Sequence, residues 1–144
     1  THYIDSSNND KWLLTSYHSE MHGGGFSVLK KMPQLTVNQL IDIAVTSDDI
    51  YEVVSASCEL YDIEQNSKEE FREQLIQKLV HLAPTITSLF EKERLKTIIY
   101  ESGLYDATNR KPIVGKHYNE VLKDAEYYRS VADRAKKILD SIKE

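Results

Sequence analysis

The sequence predicts an all-α protein on three observations. Apolar residues recur at steps of three and four through most of the 144-residue chain, which places them on one face of a helix. Gly and Pro are few, 5 and 3, whereas a sandwich or barrel of short strands needs turn formers at every corner. No stretch alternates apolar and polar residues long enough to define a half-buried strand. The expected architecture is antiparallel helical hairpins in a short stack or irregular bundle, ending in a long C-terminal helix. The length fits a single helical domain over residues 1–144.

Residues 1–9 read as a frayed start, with Ser6, Ser7, Asn8, Asn9 and Asp10 as cap candidates. A first helix is expected from about Asp10 to Met21, on the stripe Trp12, Leu13, Tyr17 and Met21. Gly23, Gly24 and Gly25 would stop it. Phe26–Met32 follows as a short second helix. Pro33 breaks the pattern, and a third helix spans about Val37–Thr46, with Val37, Leu40, Ile41, Ala44 and Val45 inward. Ser47, Asp48 and Asp49 form a polar turn that caps a fourth helix, about Asp49–Ile63. Its inward face is Ile50, Val53, Val54, Ser57, Leu60 and Tyr61, and its outward face Glu52, Ser55, Glu59 and Asp62.

Ser67 and Glu70 have the spacing of a capping box for a fifth helix, about Lys68–Leu82, with Phe71, Leu75, Leu79 and Leu82 in one row. Pro84 sits at the start of a sixth helix, about Thr85–Ser102, carrying Ile86, Leu89, Phe90, Leu95, Ile98 and Ile99, with Gly103 as its C′ residue. Residues 104–116 are the one substantial loop, rich in turn formers. The last helix, His117–Ile142, carries a seam of Tyr118, Leu122, Ala125, Tyr128, Ala132, Ala135, Leu139 and Ile142.

Composition narrows function more than it identifies it. A net charge of −5 disfavours a general nucleic-acid binder, which needs clustered Lys and Arg. No run approaches the roughly 18 apolar residues of a membrane span. The single cysteine, Cys58, excludes an intrachain disulfide and a thiolate metal cluster and fits a reducing, cytoplasmic setting. No cofactor motif is present. Gly23–Gly25 lacks the Lys-Ser/Thr of a phosphate loop and reads as a link or hinge.

Pro33 to Leu60 reads as one helix–turn–helix unit. Its pattern is Pro33, Leu35, Leu40, Ile41 and Ala44, then Asp48, then Val53, Val54, Ala56 and Leu60. This resembles a HEAT or armadillo-type repeat, in which an aspartate near the turn precedes a Val-x-x-Ala-x-x-x-Leu helix. It departs from that pattern at Ser55, where such repeats usually carry Arg. The resemblance implies paired helices that bury a stripe each and stack pair on pair. Lys68–Ser102 fits a second, degenerate pair without the aspartate. In size, acidity, helical character and scarcity of cysteine, the chain also resembles bacterial toxin-immunity proteins.

Candidate chemistry is sparse. His18 and His22 share a helix face, but the order His-Ser-Glu-Met-His puts Glu20 about 160° away from them. A catalytic zinc needs three protein ligands, so no metal site is expected. Cys58 sits among acids, which disfavours a thiolate. Asp48–Asp49 and Glu69–Glu70 lie at helix starts, where the helix dipole favours negative charge. No catalytic residue is assigned. The best candidate surface is the outward acidic strip Glu52, Glu59, Asp62 and Glu64 of the fourth helix, which with Asp48 and Asp49 makes an acidic edge, with Tyr51 as an aromatic anchor.

The expected function is a non-enzymatic protein-binding module, most concretely an immunity protein that neutralises a basic toxin through this acidic face. Two alternatives belong to other classes. One is a metal-dependent hydrolase using His18 and His22. The other is a regulatory or scaffold module of a larger protein, in keeping with a chain that opens on Thr1.

Overall fold

The computed structural model describes residues 2–4, 7, 11–17, 26–32, 35–67 and 69–142. They fall into two compact units, Thr1–Gln39 and Leu40–Glu144. The regular structure of the second unit is all helical, whereas the first holds strands where helices were expected.

The first unit holds a three-stranded antiparallel sheet in the order β1 (His2–Ile4), β2 (Lys11–Tyr17), β3 (Phe26–Met32). Lys11 pairs with Met32, and the ladder runs without a break to Tyr17 opposite Phe26. Helices were expected over Asp10–Met21 and Phe26–Met32, and β1 lies in what reads as a frayed start. The reason is physical. Trp12, Thr15, Tyr17, Phe26 and Val28 are strand-favouring types. In segments of seven residues, the threes and fours of a helix and the twos of a strand are hard to tell apart. What decides is the cross-strand partner, which local periodicity does not contain. Gly23–Gly25, His18, Glu20 and His22 lie outside the described residues, as does the proposed break at Pro33.

Thr36 begins the helical chain. Its hydroxyl accepts the Gln39 N–H at 3.2 Å, and the Gln39 side-chain oxygen accepts the Thr36 N–H at 2.9 Å. This reciprocal cap starts α1 (Val37–Thr46), which buries Leu40, Ile41, Ala44 and Val45 as expected and leaves Val37, in its first turn, half-buried. Then come α2 (Ile50–Ser67), α3 (Arg72–Leu82), a 3₁₀ turn (Ala83–Thr85), α4 (Leu89–Glu101) and α5 (Tyr118–Ile142). The all-α class holds for this main body, and α5 is the long C-terminal helix at 25 residues. No helix among the described residues is long and apolar enough to cross a membrane.

The helices pack in two sets. α2 lies along α4, and contacts rise together along both: Ser47 meets Arg94, and Cys58 meets Glu101. The two therefore run in the same direction. α3 lies along α5 in the same sense, with Arg72 beside Tyr128 at the start of α3, and Val80 and Ile138 lining one groove near the ends of both. The core between them holds Val53, Leu60, Phe71, Leu75, Ile76, Leu79, Ile98, Ile99 and Val131, all fully buried.

Two helix starts differ from expectation. Ser67 does not cap α3 with Glu70. α2 instead runs through Ser67, whose hydroxyl donates back to the Ile63 carbonyl at 2.9 Å. α3 starts at Arg72 without a side-chain cap on Phe71, because both residues are drawn into the core. The reciprocal cap forms at Ser88 and Glu91 and opens α4 at Leu89, after Pro84 has been absorbed by the 3₁₀ turn. Gly103 is the C′ residue of α4 as expected, with φ +81°. A Cβ there would also stand 3.2 Å from Tyr61 Cδ2. Gly103→Ala should therefore cost about 1–2 kcal/mol, from left-handed strain and crowding. The check is a lower denaturant midpoint at unchanged slope.

Candidate functional site

The acidic turn before α2 is built by side chains that cap the helix. Asp49 Oδ1 accepts the Tyr51 N–H at 2.9 Å. Ser47 Oγ accepts the Asp49 N–H at 3.1 Å and donates to Glu52 Oε1 at 2.6 Å. From α4, the Arg94 guanidinium donates to the Ser47 carbonyl at 3.0 Å. These bonds fix the turn against the neighbouring helix. On it, Asp48, Asp49 and Glu52 are exposed, and the Tyr51 side chain projects into solvent at 79% exposure.

The rest of the expected edge does not join them. Glu59 is only 3% and Glu64 only 6% exposed, so both are buried residues of α2 rather than part of an outward face. Periodicity places Glu52 and Glu59 on the same side, but helices cover α2 more completely at mid-length than at its start. Cys58 and Glu59 are both enclosed there. Asp62 is half-buried, accepts from the Asn66 amide at 2.9 Å and lies ~15 Å along the helix from Glu52. The surface that remains is Asp48, Asp49, Tyr51 and Glu52.

Cys58 is a buried thiol that donates to Glu101 Oε2 at 3.3 Å. Burial first, and the Glu101 and Glu59 carboxylates next, push its pKa far above the ordinary thiol value. Cys58 should therefore stay unreactive to a disulfide reagent in the native protein and react fully once denaturant unfolds it. A native-state reaction at the rate of a free thiol would contradict this geometry.

A second polar centre, missed from the sequence, lies inside the unit. Arg72 is fully buried and meets the buried Glu64 through two bonds, Nε to Oε2 at 2.7 Å and Nη2 to Oε1 at 3.0 Å. Its Nη1 donates to the carbonyls of Gly103 at 3.1 Å and Asp106 at 3.3 Å. The guanidinium also covers the Tyr128 ring at 4.7 Å. One side chain thus joins α2, α3, α5 and the loop after α4. A signal for it was present. Arg72 is in step with Leu75, Ile76 and Leu79, and Glu64 with Val53, Ser57 and Leu60. Opposite charges on two apolar stripes mark a buried pair.

Beside this pair lies a cavity of about 230 Å³ lined by Glu64, Glu69, Glu70, Arg110, Lys111 and Tyr128. Its charges answer one another: Lys111 meets Glu70 at 2.6 Å, and Arg110 meets Asp106 at 2.7 Å. The adjacent tyrosines divide the work. Tyr127 packs edge-on to Tyr128 at 5.2 Å, and its hydroxyl accepts the Glu73 N–H at 3.2 Å, capping α3 from another helix. Tyr128 is buried, and burial followed by the Glu64 charge pushes its pKa up to about 12.

A pKa raised on folding means the neutral form is favoured in the native state. The Tyr128 contribution is then complete below the ordinary value of 10.0 and fades as pH rises toward about 12. Thermal midpoints measured across that window should fall, and Tyr128→Phe should flatten the fall.

Among the described residues, no group of three His, Cys, Asp or Glu side chains is placed to hold a metal ion. No family model matches the chain, and no curated protein and no solved structure matches it.

Proposed function

We propose that this chain is a non-enzymatic protein-binding module that docks a basic protein on the turn at the start of α2. The observation that carries the reading is Tyr51, exposed at 79% and flanked by Asp48, Asp49 and Glu52 on a turn fixed by its own hydrogen bonds. A rigid, amphipathic ring within a ring of charge is the usual make-up of an interface anchor. The carboxylates would steer a cationic partner, and Tyr51 would hold it. The same-direction packing of α2 on α4 and of α3 on α5 supports a stack of helix pairs, the architecture of many protein-binding scaffolds. The most concrete form of this function is immunity, in which the partner is a basic toxin whose working surface is covered.

The test begins with capture of a partner by the wild-type chain and identification of the bound protein. Association and dissociation rates are then measured for wild type, Asp48→Lys/Glu52→Lys and Tyr51→Ala at two salt concentrations. Charge reversal should slow association at low salt by about tenfold or more. Tyr51→Ala should speed dissociation by an amount worth about 2 kcal/mol. Rates that are unchanged in both variants and indifferent to salt would remove this turn from the interface. Protection of cells expressing the captured partner tests the immunity form separately.

A further inference from the structure

The end of the helical unit that carries the acidic turn also carries a groove of opposite character. The groove encloses about 610 Å³ between the end of α3, the 3₁₀ turn, the start of α4 and the end of α5. Val80, Pro84, Ile86 and Ile138 give it apolar walls. Lys92, Arg134 and Lys137 stand at its rim, three cations on a chain whose net charge is −5. Arg134 is held in place by Glu73, with Nη1 at 3.2 Å from Oε1 and a second contact between Nη2 and Oε2.

The groove and the acidic turn share the end of the unit at the start of α4. Arg94 is bonded there to the Ser47 carbonyl, where the acidic turn begins, and Lys92, two residues earlier and so on the other side of α4, lines the groove. One end of the unit therefore presents both a knob and a hole. The knob is a projecting tyrosine surrounded by carboxylates. The hole is an apolar groove of ligand-pocket size with cations at its edge. The charge signs match, and a phenol ring suits apolar walls with a wet mouth.

The geometry points to self-association: two copies of this chain pair about a two-fold axis, each seating Tyr51 in the other's groove. Asp48, Asp49 and Glu52 then face Lys92, Arg134 and Lys137 of the other copy. Two different patches on one end close into a dimer because each copy gives a knob and receives one. This inference does not rest on the proposed basic partner. It makes the second copy a competitor for the same turn, so that partner would bind the monomer.

The experiment is sedimentation equilibrium of the full chain, with circular dichroism confirming that each variant is folded. Wild type should behave as a reversible dimer of the 16.6 kDa chain. Tyr51→Ala should raise the dimer dissociation constant at least ~10-fold, as loss of a central aromatic anchor does. Lys92→Glu/Lys137→Glu reverses the hole, and Asp48→Lys/Glu52→Lys reverses the knob. Each should be monomeric alone, and an equimolar mixture of the two should recover the dimer, since both contacts are again complementary. A wild-type chain that stays monomeric at ~10⁻⁴ M, a dimer indifferent to the reversals, a mixture that fails to pair, or open chains of growing mass would each overturn the proposal. Capture of a basic partner is read separately, with the wild-type chain diluted to where sedimentation shows the monomer, so that failure of one proposal leaves the other standing.

Discussion

Replacing Arg72 with methionine should destabilise the protein by about 3–5 kcal/mol, the cost of leaving one member of a buried ion pair alone. The loss is specific in its origin. Glu64 would keep its charge in the core with no guanidinium against its two oxygens, and the carbonyls of Gly103 and Asp106 would lose their donor. The double variant Arg72→Met/Glu64→Leu removes both charges and should recover most of what the single change lost, because a well-packed apolar pair of similar volume is often no worse than an ion pair. Urea denaturation of wild type, the two single variants and the double variant measures this coupling directly. If the double variant is as unstable as the sum of the two single ones, the pair is not the unit that matters. The carbonyl bonds that tie the loop after α4 to α3 would then be responsible.

Leu79→Ala should cost about 2–5 kcal/mol, and Leu75→Ala a similar amount. Both side chains are fully buried, and their spacing of four places them on one stripe of α3. Truncation removes apolar area and leaves a void that a close-packed core refills only in part. Val80, one residue further and exposed, is the control, and Val80→Ala should change stability by no more than about 0.5 kcal/mol. An unchanged denaturation midpoint for Leu79→Ala would put this stripe in solvent.

The helical main body was legible because burial on one side of a helix leaves a local trace. Leu40, Ile41, Ala44 and Val45 on α1, and Leu75 and Leu79 on α3, are buried where their spacing puts them. Gly103 ends α4 where a residue of positive φ is needed. The polar turn at Ser47–Asp49 likewise follows from the few residues on either side of it.

Where the reading failed, the deciding neighbour was far away in sequence. Trp12–Tyr17 carries residues that satisfy either period, and it became a strand through its ladder with Phe26–Lys31. Glu59 shares a helix side with Glu52, yet packing at mid-length buried one and left the other in water. Ser67 had a suitable glutamate three residues on, but Phe71 and Arg72 were worth more in the core than the cap was at the surface. Sequence alone determined the helical class of the main body, its long last helix, most of its core stripes and the acidic turn, all of which rest on contacts within a few residues. Tertiary structure decided the sheet, the truncation of the acidic edge, the Arg72–Glu64 pair and the basic groove. Each of these depends on which elements meet, and a residue's burial is set by what packs across from it rather than by its neighbours along the chain.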